Sequence, residues 1–410
     1  MGLTLRTCRT LTSVDPAAWD ALDHGGSPFL EHGFLRALER SRSVGARSGW
    51  DPHYILAEWA GDPAPVHGER TGIVAPDGAT KTSPAPTLVG AVAAFVKHHS
   101  YGEYIFDFPW ARAAARGGVD YYPKLVIAAP VTPATGPRIL LRELEHGPSR
   151  ETIARALVEQ VRALADEAEC SSIHWLFTTA SEQHMLAGLG FVPRASFQYH
   201  WHNQGYASFD DFLARLTSRK RKQIRKERAR ARAAVDTIEM VGGADLSDDD
   251  LATIDRFYRN TTDNHGGQDY LRPGFFEALV ELAPERVVWA RARKDAVTVA
   301  GALYLATDRA LYGRYWGCDG AIDLLHFELA YYVGIEHCIA RGLPLFEAGA
   351  QGEHKLLRGF EPSATYSSHW IRHVGLRAAV ERFLAEEHAA IERYLVELAE
   401  LGPYRNTEEA

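Results

Sequence analysis

"RETIARALVEQVRALADEAECSSIHWLFTT", residues 150–179, decides the fold. As far as Glu169 its apolar residues recur every three or four positions, the period of an amphipathic helix. From Ser171 the pattern changes to a short run of Ile, Trp, Leu and Phe, which reads as a buried strand. Upstream, "LVGAVAAFVKHHS" (88–100) and "KLVIAAPVTPATGPRILL" (124–141) read as two further strands. Downstream, "EQHMLAGLGFVPR" (182–194) is a short helix ending at glycine. The Pro-, Gly- and Thr-rich stretch 61–87 has no periodicity and reads as a surface loop.

The second half runs through the same order. "FDDFLARLTSRKRKQIRKERARARA" (209–233) predicts one long helix, with Ser208 and Asp211 at capping-box spacing. Helices follow at 250–265 and 272–284, then strands at 286–294, 297–307 and 310–319 at hairpin spacing. "LLHFELAYYVGIEHCIARGL" (324–343) is a helix and "PLFEAGA" (344–350) a strand. An α/β chain of two domains with one architecture, 1–200 and 201–410, is the expectation.

Composition narrows the function. The 410 residues are 46% hydrophobic and 24% charged, with a net charge of -8. That is globular composition, and it gives no global pull toward nucleic acid. Cys8, Cys170, Cys318 and Cys338 are scattered without CxxC spacing, so neither a disulfide framework nor a zinc site is expected. The N-terminal stretch lacks the apolar core of a signal peptide, and no stretch reaches spanning length. A cytoplasmic protein is expected, with peripheral contact to the anionic inner membrane left open.

Three segments hold chemistry-bearing residues. Between Arg215 and Arg232 ten cationic side chains stand against one acid, Glu227. Phe209, Phe212, Leu213, Leu216 and Ile224 form an apolar stripe, and Lys220 falls inside it. Arg219, Lys220, Lys222 and Arg225 are candidates for phosphates of a coenzyme, a nucleotide-linked substrate, tRNA or anionic lipid. A merely solvated helix face is the alternative. In "YGRYWGCDG" strand alternation sets Tyr312, Arg314 and Trp316 on one face and Tyr315 on the other. They are candidate substrate contacts or ordinary core. His326 is a candidate general base or a hydrogen-bonded helix residue, and it diverges from Glu328 by about 160° along the helix, which disfavours a shared metal.

The third segment, "FEAGAQGEHKLLRGFEP" (346–362), leaves a strand and fills with ionisable groups. In open α/β sheets ligands gather beyond the carboxyl ends of strands. Lys355 there is positioned to neutralise an oxyanion, unless it sits in a solvated turn. Glu347, Glu353 and His326 are candidates for receiving an amine proton, and Gln351 and His354 for contacting substrate. No set of converging metal ligands is evident.

Together with "RYWGCDG", "LHFELAYYVGIEHCI", "TYSSHW", "HGFLRAL" and "DFPWARAAARGGVDYYPKL", these strings resemble the bacterial FemAB-like proteins of the acyl-CoA N-acyltransferase (GNAT) superfamily. The resemblance spans nearly the whole chain. It implies two tandem GNAT-like domains with mixed central sheets and an N-acyl transfer from an activated acyl group to an amine. It also implies a catalytic role for Lys355 in "HKLLRGF". The family includes bacterial ceramide synthases, so long-chain acyl-CoA as co-substrate and a sphingoid amine are expected, with no tightly bound cofactor. Alternatives are a Fem-type aminoacyl-tRNA-dependent transferase acting on a peptidoglycan precursor, and a non-catalytic binder of lipid or cell-wall ligands.

Overall fold

Thirteen strands join in one sheet, in a computed structural model that describes residues 2–45, 47–61, 86–105, 107–264, 267–350 and 352–405. In chain order they are β1 (Gly2–Cys8), β2 (Asp51–Ala60), β3 (Thr87–Lys97), β4 (Lys124–Ile127), β5 (Leu140–Leu141), β6 (Ser172–Thr178) and β7 (Val192–His202). The second half adds β8 (Thr237–Gly242), β9 (Val287–Lys294), β10 (Val297–Ala306), β11 (Ala310–Cys318), β12 (Leu345–Glu347) and β13 (Glu361–Ile371). Across the sheet the order is β1-β2-β3-β4-β6-β13-β7-β12-β11-β10-β9-β8, with β5 beside β3. Most of the loop expected at 61–87 lies outside the described residues.

Two neighbouring pairs are parallel, β4 with β6 and β11 with β12, and the other pairings are antiparallel. A crossover helix bridges each parallel pair, because parallel neighbours cannot be joined by a tight turn. These helices are Arg150–Glu167 and the segment 325–341, as the periodicities predict. On the first, Ile153, Leu157, Val161 and Leu164 are buried against Ile55, Val92, Leu125 and Ile173. Each such side chain contributes ~1.5–3 kcal/mol when fully buried.

The halves are closed by an exchange. β7 follows β6 in the chain but pairs with β12, whereas β13 follows β12 and pairs with β6. The two exchanged strands pair with each other, Glu361 opposite His200 through His369 opposite Val192. A boundary at residue 200 thus falls within β7, and the last strand of the chain completes the sheet of the first half. Helix Val374–Glu400 packs across β13 and β7.

The predicted long basic helix is two helices, Phe209–Arg215 and Ser218–Ala233. The break has a cause in the C-terminal segment. Thr217 N donates to Pro403 O at 2.9 Å, Arg405 N donates to Arg215 O at 3.1 Å, and Leu216 forms a bridge with Tyr404. Those contacts take backbone groups that a continuous helix would use internally. The Ser208 side chain does cap the first helix, accepting from Asp211 N at 3.1 Å. Among the described residues no helix is long and apolar enough to cross a membrane.

Candidate active site between the two halves

The parallel pairing of β11 with β12 ends at Tyr312 and Glu347. Beyond it the chain turns through Gly349 and Gly352, whose φ angles of 84° and 109° suit glycine, into the short 3-10 helix Glu353–Arg358. Between β10 and β11, Tyr304 opposes Gly313 while Leu303 opposes Tyr315, so Arg314 is the extra residue of a bulge on β11. That bulge corrects the alternation read from sequence. Tyr315 shares the core of Tyr312, packing on Tyr258 and Phe276, whereas Trp316 packs in the opposite core beside His326, ring centroids 5.0 Å apart.

Glu347, Arg314 and Lys355 are brought together in a buried centre. Glu347 is 2% exposed; Arg314 Nη2 lies 3.5 Å from its Oε2 and His200 Nε2 lies 4.0 Å from its Oε1. The backbone amide of Thr135, from the loop after β4, also favours the charged form of this carboxylate. Burial outweighs these partners and pushes the Glu347 carboxyl up to about 7. Lys355 is 1% exposed and donates from Nζ to Gly349 O at 2.7 Å. Burial, with Arg314 nearby, draws its ammonium down to about 7. His200 is driven down to about 3 by burial and by His202, Arg314 and Lys355, which keeps its imidazole neutral at pH 7.

Two cavities reach the edge of this centre, one at Arg314 and the other at Gln198 and Ala350. One of about 340 Å³ is lined by Tyr104, Tyr258, Tyr270, Arg314, Tyr315 and Trp316 among others, and a smaller one of about 120 Å³ by Tyr104, Arg194, Phe197, Gln198, Ala350 and Tyr366 among others. Tyr104 belongs to both. It stands in the left-handed region at φ 61°, on a loop pinned by a buried ion cluster. Lys124 Nζ reaches Glu103 at 2.6 Å, Asp107 at 2.5 Å and Ser100 Oγ at 2.8 Å. Lys97 Nζ lies 3.8 Å from Glu103 as well, and four ionisable groups in a dry core require such mutual pairing.

The other predicted residues lie apart. Glu353 is exposed and accepts from Tyr394 OH at 2.9 Å. His354 shares a 2.8 Å hydrogen bond with Tyr331 OH, and His326 sits in the same aromatic group, 6.3 Å from the His354 ring. Gln351 lies outside the described residues. Glu328 holds Arg228 and Arg232 at 2.9 and 2.7 Å, and Arg230 binds Asp323 at 2.7 Å, so the C-terminal half of the basic helix is neutralised by its neighbour. Arg225 pairs with Asp210 at 2.8 Å. Among the described residues Arg219, Lys220 and Lys222 form no ion pair; Lys220 is half-buried, as its place in the apolar stripe predicts. Sequence reading missed His200, Gln198, Thr135 and Tyr104. Lys97 and Lys124, each on an otherwise apolar strand, were the available sign of the buried cluster that supports Tyr104.

Two halves of antiparallel strands, each finished by a parallel pair and a crossover helix, with the polar centre at the end of one such pair, define a protein of two tandem GNAT-like units. The chain belongs to the FemAB-like family, whose model, described as peptidoglycan biosynthesis/recognition, matches residues 10–406. Among solved structures it is similar to FemX at 11% identity, covering 92% of this chain and 100% of that one, with a TM-score of 0.51. A tandem GNAT protein from the clavulanic acid biosynthesis pathway matches at 11% identity over 90% and 98% of the two chains, TM-score 0.42. L-PGS from Bacillus licheniformis matches at 10% identity over 67% and 85%, TM-score 0.41. No curated protein sequence matches the chain.

Proposed function

We propose that the protein is a transferase that forms an amide, with Glu347, Lys355 and Arg314 as its reaction centre. The observation that carries this reading is a buried carboxyl and a buried amine, both held near neutrality, close to two cavities that share Tyr104, one lined by Arg314 and the other by Gln198 and Ala350. A two-substrate transfer needs one compartment for each reactant and proton-transfer groups where they meet. The acceptor amine attacks the donor carbonyl, forming C–N. Its proton passes to the Glu347 carboxylate while the Lys355 ammonium offsets the charge growing on oxygen. Collapse breaks the C–O or C–S bond of the donor, and the proton on Glu347 leaves with that group.

An aminoacyl ester on tRNA is the donor favoured by charge, with a peptidoglycan precursor as acceptor. The cations Arg219, Lys220 and Lys222 form no ion pair among the described residues and stand ready for a polyanion. The loop entering the second crossover helix carries Asp319 and Asp323, both already paired with arginines, which is poor surroundings for a coenzyme pyrophosphate. In the first half, Arg138 of "VTPATGPR" is fully buried and donates to Leu176 O at 2.8 Å, so it is not free for phosphate. A second reading, long-chain acyl-CoA with a sphingoid amine at an anionic membrane surface, draws support from the mostly aromatic and aliphatic lining of the larger cavity.

Charged tRNA and a panel of acyl-CoA thioesters, each offered with peptidyl and long-chain amines, test these readings by mass detection of the amide and by thiol release. Amide from charged tRNA alone supports the first reading; thiol release with amide from a long-chain amine supports the second. Absence of amide from every pair overturns the transferase assignment in favour of a ligand binder.

A further inference from the structure

The Arg314 side chain is 4% exposed. Its Nη1 donates to Gly313 O at 2.9 Å, and the guanidinium lies over the rings of Phe29 and Tyr312 at 4.5 and 5.3 Å. Its Nε and Nη2 meet no hydrogen-bond acceptor among the described residues, and Oε2 of Glu347, 3.5 Å from Nη2, is also without a hydrogen bond. Buried polar groups are rarely left unmatched, and charged donors least of all. Nε and Nη2 occupy one edge of a planar group, the spacing that receives two oxygens of a carboxylate side by side. Arg314 lines the cavity of about 340 Å³, together with four tyrosines, Trp316, and aliphatic and small polar residues. Both donors are sealed from solvent, so a ring of the wall has to turn aside as a ligand enters.

We propose that this cavity is a binding site for an organic carboxylate joined to a ring or apolar body, with Arg314 as the clamp. Aromatic walls supply stacking and apolar area for the body, while the fork fixes the acid. A phosphate also offers paired oxygens, but a dianion would lie against the Glu347 carboxyl, so the monoanion is preferred. In the transferase reading, on which this role rests, the acid belongs to the acceptor and holds its amine toward Glu347. The binding itself does not depend on transfer.

Calorimetric titration with 3-phenylpropionate, 3-phenylpropyl phosphate and 3-phenylpropan-1-ol separates the possibilities. The acid should bind at least tenfold more tightly than the alcohol and more tightly than the phosphate. Arg314→Gln should bring the acid down to the affinity of the alcohol, and Arg314→Lys, which keeps charge but not the fork, should fall between. Tyr270→Ala, which leaves Arg314 in place, should weaken acid and alcohol alike and serves if the arginine variants fail to fold. Equal affinity for acid and alcohol, or no binding of any probe, overturns the site. Undiminished acid binding by folded Arg314→Gln overturns the clamp, and preference for the phosphate overturns the carboxylate class. A protein that binds the acid yet makes no amide sustains this inference and removes the transferase reading.

Discussion

Replacing Lys355 by Met separates chemistry from folding, because the two consequences run in opposite directions. Met keeps the length of the side chain and removes its charge. Loss of a positioned donor to a developing oxyanion costs ~2.7–4 kcal/mol, which is a fall in turnover of about 10²–10³-fold. Stability follows another sign. In the folded chain the Lys355 ammonium is drawn from 10.5 to about 7, so the unfolded chain binds more protons between those values. Stability therefore rises with pH from about 7 to about 10, and at pH 7 or below the buried charge costs on the order of 4–5 kcal/mol. Met abolishes that cost and leaves the Gly349 carbonyl without its donor, worth ~1–3 kcal/mol. The variant should melt no lower than the parent near neutral pH and should lose the gain in stability that the parent shows on moving to pH 9.5. A lysine in an open turn, the alternative read from sequence, would leave both melting curves alike. A folded Lys355→Met protein that turns over within a few-fold of the parent refutes the catalytic role, and the transfer centre would then have to be placed elsewhere.

Glu347 and Lys355 are both held at about 7 by burial, the first needed as carboxylate and the second as ammonium; kcat/KM should therefore pass through a maximum near pH 7, and Glu347→Gln should lose at least 10²-fold in rate together with the acid limb. A pH profile unchanged by the substitution removes Glu347 as the base. Arg228→Ala leaves Glu328, which is fully buried, with one fewer cation and should cost ~3–5 kcal/mol in chemical denaturation. The double change Arg219→Gln with Lys222→Gln should leave the melting curve unmoved while weakening tRNA binding and flattening its salt dependence; a loss of stability there would make those cations structural. At Gly317 an added Cβ would meet the Phe257 backbone carbonyl oxygen at 2.5 Å, so Gly317→Ala should destabilise by ~1–3 kcal/mol, and a neutral result would show that the helix Asp248–Asn264 moves easily on β11.

The fold was legible where a pattern is local. The period of 150–169 gives the crossover helix, and the alternating apolar runs at 286–319 give β9, β10 and β11 within a residue or two. What no local pattern holds is partner choice. β12 is three residues long, and β7 and β13 could each have closed the half in which they follow; their exchange is decided by long-range pairing such as Glu361 with His200. The same division holds in the site. Glu347, Arg314 and Lys355 were readable because charge at the end of an apolar strand is costly unless it is used or paired. His200, Gln198 and Thr135 were not, because each becomes part of the centre only after β7 and the loop following β4 have been brought against β12. The strand around Arg314 shows the limit most clearly. Strict alternation groups Tyr312, Arg314 and Trp316 and sets Tyr315 opposite, whereas the bulge at Gly313–Tyr315 leaves Arg314 over Tyr312 and Phe29 but brings Tyr315 into the core of Tyr312 and sends Trp316 to the other one. The residue types were sufficient to nominate the group, and one extra residue in a strand decided which of them share a face.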